Sequence, residues 1–216
     1  MRPPGRVAAG VNATNDVCVA VIYYSATGTT HEMAKAAADG AEKAGAQTRL
    51  RRVPELAPQE AIEANEDWAE HLEQVSDVPE ATLDDLEWAD GVLFGTPTRF
   101  GNVAAQLKQF IDTTGGLWQS GKLTDKVFGG FVTTGTEHGG HESTLLTLFN
   151  VIYHWGGIVV TPGYTEDDQF VQGNPYGGSH TSQNGEIPPD EKALASAALT
   201  ARRVVDAASA LKRAAG

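Results

Sequence analysis

The chain has 216 residues, of which 41% are hydrophobic, and a formal charge of −12 at pH 7. This size suits one well-buried α/β domain, and no apolar run is long enough to span a membrane. The negative charge argues against a nucleic-acid partner, because binding phosphates requires a cationic surface. A single cysteine permits no internal disulfide, so we expect a cytoplasmic protein. We expect residues 1–16 to be a disordered N-terminal extension of one domain at 17–216.

The first predicted strand leads into a loop that suits an anion. Residues 17–24 form a continuous apolar run, as in a strand that is covered on both faces. Four hydroxyls and a glycine then precede a predicted helix at 31–45, in the segment Ser25, Ala26, Thr27, Gly28, Thr29 and Thr30. The free N–H groups and the dipole of a helix N-terminus favour a phosphate there. Helix caps use the same residue types, so the loop alone leaves both interpretations open.

A strongly acidic insertion follows the second predicted strand, residues 46–53. Between residues 54 and 90 there are thirteen Asp and Glu side chains and no Lys or Arg. Part of this insertion has the apolar spacing of an amphipathic helix, at Ala61, Ile62, Ala64, Trp68, Leu72 and Val75. A solvated face is the favoured interpretation, and a docking surface for a basic partner is the alternative.

The third predicted strand, residues 91–94, leads into the most informative loop of the chain. We expect Gly95 to end this strand and Thr96-Pro97 to impose an extended turn. A helical pattern then runs from Val103 to about residue 113. The loop between them offers hydroxyls, N–H groups, a guanidinium and an aromatic face, in Pro97, Thr98, Arg99, Phe100, Gly101 and Asn102. That mixture suits a flat heteroaromatic ring, and open α/β sheets bind ligands at such loops.

The remaining elements continue the alternation of strands and helices. The patterns predict a fourth strand at 127–132, a helix at 142–153 and a fifth strand at 158–160. Residues 163–189 show little periodicity, as in functional segments or segments buried against another chain. An alanine-rich helix at 189–213 closes the sequence. Five strands alternating with helices predict a parallel sheet.

The loop after the fourth predicted strand is a third candidate ligand loop. It comprises Thr133, Thr134, Gly135, Thr136, Glu137 and His138, followed by two further glycines. Glycines let the backbone come close to a ring. Glu137-His138-Gly-Gly-His141-Glu142 resembles a metal site at first sight, but its two histidines flank a Gly-Gly pair and no other His or Cys group completes a ligand set. We therefore expect no metal.

Five blocks of this sequence resemble the WrbA-type NAD(P)H:quinone oxidoreductases, in the same order. The blocks are Tyr23-Tyr24-Ser25, Gly95-Thr-Pro-Thr-Arg-Phe-Gly-Asn102, Asp112-Thr-Thr-Gly-Gly-Leu-Trp118, Thr134-Gly-Thr136 and Pro175-Tyr-Gly177. The resemblance extends from about residue 17 to the C-terminal helix, and an insertion after the second strand is also a family feature. It implies a flavodoxin-like three-layer αβα sandwich whose five-stranded parallel sheet has the order 2-1-3-4-5.

The resemblance also implies FMN as cofactor, NAD(P)H as electron donor and a quinone as acceptor. The implied FMN contacts are all the residues of the three loops named above, from Ser25 to Thr30, from Pro97 to Asn102 and from Thr133 to His138, together with His154. N–H groups of the third loop would bond flavin N1 and O2, where charge accumulates on reduction. Hydride would pass from the nicotinamide to flavin N5, and the quinone would then be reduced on the same ring face. A shared face predicts ping-pong kinetics.

Family analogy gives roles to three further positions and to the assembly. His154 would reach a flavin from a neighbouring subunit or element and stabilise charge on the quinone or deliver a proton. Thr27 and Trp118 would contact the substrate, with Trp118 as a wall for a flat acceptor. Thr27 stands where many relatives have a larger residue. The family forms tetramers with flavin sites at subunit interfaces, so a homotetramer is expected.

Several other functions remain as alternatives or are disfavoured. Without the analogy, His154 could bond helix carbonyls and Trp118 could simply pack. A flavodoxin-type FMN electron carrier without its own NAD(P)H turnover also suits the charge of −12. A scaffolding protein that docks a partner through the acidic insertion is a third possibility. The sequence contains no P-loop, no Gly-x-Gly-x-x-Gly motif after the first strand and no Gly-x-Ser-x-Gly elbow.

Overall fold

A computed structural model describes residues 17–215, so the predicted extension at 1–16 lies outside the described residues. In this range the strands are β1 (Cys18–Tyr23), β2 (Gln47–Arg52), β3 (Gly91–Arg99), β4 (Asn102–Val103), β5 (Val127–Thr134), β6 (Ile158–Val159) and β7 (Gly178–Thr181). The α-helices are α1 (Thr29–Lys43), α2 (Gln59–Glu63), α3 (Glu66–Gln74), α4 (Leu83–Trp88), α5 (Ala105–Asp112), α6 (Gly115–Gln119), α7 (His141–Trp155), α8 (Asp167–Gln172) and α9 (Glu191–Ala215). A 3₁₀ helix spans Gln183–Gly185.

The sheet has the topology expected from the sequence. Its strands lie in the order β2-β1-β3-β5-β6, with parallel pairing throughout this path. The two-residue strand β4 pairs only with the end of β3 and is not part of this path. When the five strands of the path are numbered in chain order without β4, their order is 2-1-3-4-5. The predicted fold class is therefore confirmed. The chain changes direction across the sheet between β1 and β3, which is where such folds bind ligands.

The third strand is longer than predicted. Gly95 and Thr96-Pro97 do not end it, since β3 continues to Arg99 and Pro97 pairs with Thr133 of β5. On the other side, β1 pairs with β3 only as far as Gly95. Pro97 therefore lies where its missing N–H removes no bond to β1, and this is how a proline can occupy the strand.

The fifth position of the sheet is divided between two short strands. β6 pairs with the first half of β5, at Val127 and Phe128, and β7 pairs with its second half, at 131–134. The stretch at 163–189, which lacked a clear pattern, contains α8, β7 and the 3₁₀ helix. β6 has two residues and β7 has four, and strands this short give no periodic signal in the sequence. The sequence therefore did not reveal this division.

Helices cover both faces of the sheet and enclose two hydrophobic clusters. On one face, α1 and α9 pack against β1, β3 and β5, with Tyr23, Leu93 and Phe131 in that cluster. On the other, α5 and α7 cover the cluster that contains Phe94, Phe128 and Trp155. Gly95 illustrates the tight packing of the first face, because a Cβ on it would lie 2.2 Å from the Phe131 ring. These two layers hold the carboxyl ends of β1, β3 and β5 at one edge.

The acidic insertion folds back onto the edge of the sheet. Its predicted single helix is divided into α2 and α3, because Asn65 caps a new helix by accepting the Trp68 N–H. Asp85 of α4 is buried and accepts from both Arg49 and Arg51 of β2, each at 3.0 Å. Burial alone would raise the pKa of Asp85. The hydrogen bonds from Thr82 and the interactions with the arginines have the larger, opposite effect, so the pKa lies below its usual value. The insertion is thus attached to β2 and is not wholly a solvated surface.

None of the helices formed by residues 17–215 combines the length and apolar character needed to cross a bilayer.

Candidate cofactor and active site

The three predicted loops meet at the carboxyl edge of the sheet. They surround a cavity of about 250 Å³. Nine residues predicted to bind the cofactor line it, and they are Ser25, Ala26, Thr27, Thr29, Thr30, Pro97, Arg99, Thr134 and Gly135. The parallel pairing of β1, β3 and β5 brings these loops together, because the carboxyl ends of parallel strands share one edge.

The first loop forms the start of α1. Gly28 precedes the helix at φ +95°, a backbone conformation that side-chain-bearing residues rarely adopt. The Ser25 Oγ accepts the Gly28 N–H at 3.1 Å, which closes the loop and leaves the Ser25 hydroxyl hydrogen available to a ligand. Thr30 is buried and its hydroxyl bonds that of Thr133 at 2.8 Å, so it ties this loop to β5. The side chains of Thr27 and Thr29 are partly exposed in the cavity wall.

The second loop is a tight hairpin between β3 and β4. Phe100 and Gly101 form its tip, both at positive φ, and the Phe100 ring is fully exposed. The hydroxyl of Thr98 accepts the Gly101 N–H at 3.2 Å and bonds the Thr144 hydroxyl at 2.8 Å. Asn102 is exposed and donates to the Phe100 carbonyl. In this loop, therefore, Pro97 and Arg99 line the cavity, whereas Thr98 fastens the hairpin to α7.

The third loop is fixed by the hydroxyl of Thr134. This group donates to the carbonyl of Thr136 at 2.8 Å and lies 2.8 Å from Nε2 of His141. Gly135 lines the cavity, and a Cβ at this position would lie 2.5 Å from Oδ1 of Asn184. Thr136, Glu137 and His138 are exposed, and Glu137 borders a different, polar cavity of about 600 Å³.

Four residues that were not predicted from the sequence line the same cavity. Ser182 and Asn184 come from the turn after β7, and Asn65 and Trp68 come from the acidic insertion. Thr27 meets this turn, since its Oγ1 lies 3.5 Å from the position that a Cβ on Gly185 would take. A short Ser-x-Asn-Gly turn and a lone tryptophan beside a helix cap were signals in the sequence. Neither signal identified the strand end or cavity that these residues would reach.

His141 is a further residue whose position the sequence did not predict. It begins α7, and its Nε2 lies 2.8 Å from the Thr134 hydroxyl and 3.3 Å from the His180 carbonyl. Burial lowers its pKa, so the neutral ring is favoured. His141 therefore joins β5, β7 and α7 below the third loop. No group of three or more His, Cys, Asp and Glu side chains among residues 17–215 could hold a metal ion.

Trp118 and His154 lie next to each other in a second cavity of about 260 Å³. The Trp118 indole donates to the backbone carbonyl of His154 at 3.0 Å, and the Trp118 side chain is 56% exposed. His154 lies within α7, one residue before its end. Within one chain, the described contacts do not bring this pair to the cavity formed by the three loops.

The donors around the three-loop cavity fit FMN. The N-terminus of α1 and the hydroxyls of Ser25, Thr27 and Thr29 suit a phosphate group, and no lysine is required. Pro97 and Gly135 provide flat, uncharged walls where β3 and β5 end. Gly135 has no side chain to screen its backbone from the cavity that it lines, and an added Cβ would lie 2.5 Å from Oδ1 of Asn184.

Solved structures with this architecture include flavodoxins. A WrbA-like flavodoxin from Agrobacterium tumefaciens has a TM-score of 0.63 and 29% sequence identity, covering 89% of this chain and 98% of that one. A flavodoxin from the domain Archaea has a TM-score of 0.57 at 18% identity, covering 91% and 99%. At 18% identity, the similarity to the archaeal flavodoxin is evidence for the fold alone. The molecule is a flavodoxin-like α/β protein.

The sequence comparisons narrow this class. A profile of the NADPH-dependent FMN reductase family matches residues 18–172, and the chain belongs to that family. A Deinococcus radiodurans relative named NAD(P)H dehydrogenase (quinone) is 45% identical over 181 residues, which cover 83% of this chain and 90% of the relative. A Geobacter sulfurreducens relative of the same name is 42% identical over 200 residues, with 89% and 98% covered. The resemblance inferred from the five sequence blocks is confirmed.

Proposed function

We propose that this chain is an FMN-dependent enzyme that uses NAD(P)H to reduce quinones to hydroquinones. The observation that carries the proposal is the cavity in which all three strand-end loops meet, with hydroxyls and a helix N-terminus on its walls. The names of relatives that are 40–45% identical over most of the chain support the same reaction. The electron-carrier alternative is less well supported, because those relatives are named as enzymes.

The residues of this chain would bind the cofactor and shape its surroundings. Bound FMN would supply the two-electron chemistry, accepting a hydride from NAD(P)H and passing it to a quinone. Ser25, Thr27 and Thr29 would donate to the phosphate at the N-terminus of α1. Pro97 and Gly135 would lie beside the ring, and N–H groups of the loop at 133–138 would face its electron-rich edge. Thr98 would contribute indirectly by holding the hairpin of Phe100 and Gly101.

The proposal includes a homotetramer in which neighbouring subunits complete each site. Support comes from Trp118 and His154, which share an open cavity away from the three-loop cavity of their own chain. In an assembly, Trp118 would form an aromatic wall for the acceptor, and His154 would stabilise charge on the quinone or deliver a proton. Sedimentation of the FMN-loaded protein tests this assembly, and a monomer would contradict it. We also propose a cytoplasmic location, on the basis of the single cysteine.

Steady-state kinetics test whether donor and acceptor use one site in turn. NADH oxidation would be measured at several fixed benzoquinone concentrations with the FMN-loaded protein. Parallel double-reciprocal lines are expected, because the nicotinamide must leave before the quinone can occupy the same place. Intersecting lines would contradict a shared site, since they require donor and acceptor to be bound together.

A further inference from the structure

The acidic insertion contributes a wall to the proposed FMN cavity. Asn65 and Trp68, at the start of α3, line the cavity together with the first loop and the ends of β3 and β5. Asn65 caps α3 through Oδ1, which accepts the Trp68 N–H at 3.2 Å. Its Nδ2 amide is therefore the part of the side chain that remains for a ligand. Trp68 is only partly exposed and presents an aromatic surface beside it.

Glu55 fixes the orientation of the Trp68 ring. Oε2 of Glu55 accepts the indole N–H of Trp68 at 3.1 Å and the Tyr24 hydroxyl at 2.8 Å. Oε1 accepts the side-chain amide of Gln106 at 2.6 Å. Burial raises the pKa of Glu55, but the hydrogen bonds from Gln106, the backbone and Tyr24 outweigh burial and hold the pKa below its usual value. One ionised carboxylate thus connects the end of β1, the insertion and α5.

His71 places α3 against the phosphate-binding end of the cavity. It is buried, 4% exposed, and its Nδ1 lies 3.4 Å from the position that a Cβ on Gly28 would occupy. The His71 ring also packs against His31 of α1, with ring centroids 5.6 Å apart. α3 therefore contacts the turn that begins α1 directly. Asn65 caps the same helix and Trp68 lies in its first turn, and both line the cavity together with Thr29 and Thr30 at the start of α1.

We infer that α3 is part of the cofactor site and retains FMN, with the Asn65 amide donating to the phosphate or ribityl oxygens and the Trp68 ring covering that end. Glu55 acts as a positioning residue, because it holds the indole and does not line the cavity. This inference rests on the proposed function, since it takes FMN to be the occupant. It assigns a task to the insertion other than docking a basic partner.

Asn65→Asp tests the inference by changing one donor. Aspartate keeps the helix cap, but it replaces an amide donor with a carboxylate that repels a phosphate. Gln74→Glu is the matched control, because it adds the same charge at the exposed end of α3. The dissociation constants of FMN and riboflavin would be measured by quenching of flavin fluorescence. We expect Asn65→Asp to weaken FMN at least about 10-fold and riboflavin much less, and Gln74→Glu to leave both unchanged.

Trp68→Leu tests the covering ring independently of the cap. It removes the aromatic surface and keeps an apolar side chain, and Trp88→Leu makes the same change in α4, where Trp88 packs under Arg49 and is not part of the cavity wall. We expect FMN to dissociate about 10-fold faster from Trp68→Leu than from the wild type or Trp88→Leu. In the wild type, FMN should also slow amide hydrogen exchange across residues 66–74 more than across 83–88.

The outcomes separate this inference from the proposed function. If the wild type binds FMN and reduces quinones, but Asn65→Asp matches Gln74→Glu and Trp68→Leu matches Trp88→Leu, α3 is not part of the site and only the inference is overturned. If the wild-type protein binds no FMN, both fail. Should Trp68→Leu not fold, Asn65→Asp and the exchange measurement on the wild type still decide the question.

Discussion

At the scale of single residues, His71 links the folding of the insertion to pH. Burial, followed by the charge of the neighbouring His31, lowers the pKa of His71 from 6.5 to about 4, while Glu32 opposes the shift. Its Nε2 has no hydrogen-bond partner among the described residues. The folded protein therefore keeps His71 neutral at pH values where the unfolded chain would protonate it.

This difference predicts a loss of stability on acidification. The pKa of His71 is lower in the folded protein than in the unfolded chain. The contribution of His71 to the free energy of unfolding is therefore fully present above pH 6.5, decreases as the pH falls and is lost below about pH 4. We expect the stability difference between wild type and His71→Asn to change by about 1–3 kcal/mol across this window, with the wild type losing more. Urea unfolding at a series of pH values measures it. Parallel pH curves for the two proteins would show that His71 is not the group involved.

Thr98 connects two of the ligand loops through one hydroxyl. It accepts the Gly101 N–H, bonds the Thr144 hydroxyl and donates to the Gly139 carbonyl at 3.2 Å. We expect Thr98→Val to lower the free energy of unfolding by about 1–2 kcal/mol and to weaken FMN several-fold, because the hairpin loses its attachment to α7. Denaturant titration and flavin fluorescence measure the two effects.

Thr147→Val provides the control for that substitution. The Thr147 hydroxyl donates to the Thr144 carbonyl at 2.9 Å within α7, and Thr147 does not line the three-loop cavity. Its removal should leave FMN affinity unchanged. Equal FMN affinities for Thr98→Val and Thr147→Val would contradict the role of Thr98.

At the scale of elements, close packing against α9 holds α1 in place, and α1 begins at the proposed phosphate-binding loop. Gly40 of α1 lies against the backbone of Ala198, where an added Cβ would be 2.7 Å from both the Cα and the carbonyl oxygen. Backbone atoms cannot turn aside as a flexible side chain can, so the two helices would have to separate. The same helix α1 begins at the loop that would bind the phosphate.

Gly40→Ala should therefore destabilise the protein by about 1–3 kcal/mol, despite the higher helix propensity of alanine. Gly116→Ala in α6 is the matched control, since a Cβ there meets nothing within 4 Å. The control should be neutral or up to about 1 kcal/mol more stable. Chemical denaturation of the two variants measures the difference, and equal stabilities would mean that α1 and α9 can move apart without cost.

At the scale of the whole molecule, the sheet and the three loops could be predicted from the sequence, and their neighbours could not. Apolar runs such as 17–24 and 127–132 are continuous because both faces of the sheet are covered, so each run identified a strand. The loops followed from their places after those strands. Asn65, Trp68, Ser182 and Asn184 reach the cavity through contacts between segments far apart in the chain. Local patterns carry no information about such contacts.

Contacts between distant segments also explain two details of the strands that the sequence did not predict, which are the extension of β3 to Arg99 and the division of the sheet edge between β6 and β7. Glycine and proline normally interrupt a strand, yet Gly95 is required by the Phe131 ring and Pro97 lies beyond the end of β1. Both reasons depend on neighbouring strands. β6 and β7 are separated by α8 in the chain, and the division of the sheet edge between them likewise depends on their pairing with β5.

The proposed activity is tested most directly by NADH oxidation, followed at the nicotinamide absorbance band, with purified protein with and without FMN and benzoquinone. We expect rapid oxidation only when FMN and benzoquinone are both present, because electrons must pass through the cofactor to the acceptor. The apoprotein and the FMN-loaded protein without quinone serve as controls. Bound FMN without NADH turnover would contradict the enzyme and favour an electron carrier, and failure to bind FMN would contradict the assignment of the three-loop cavity.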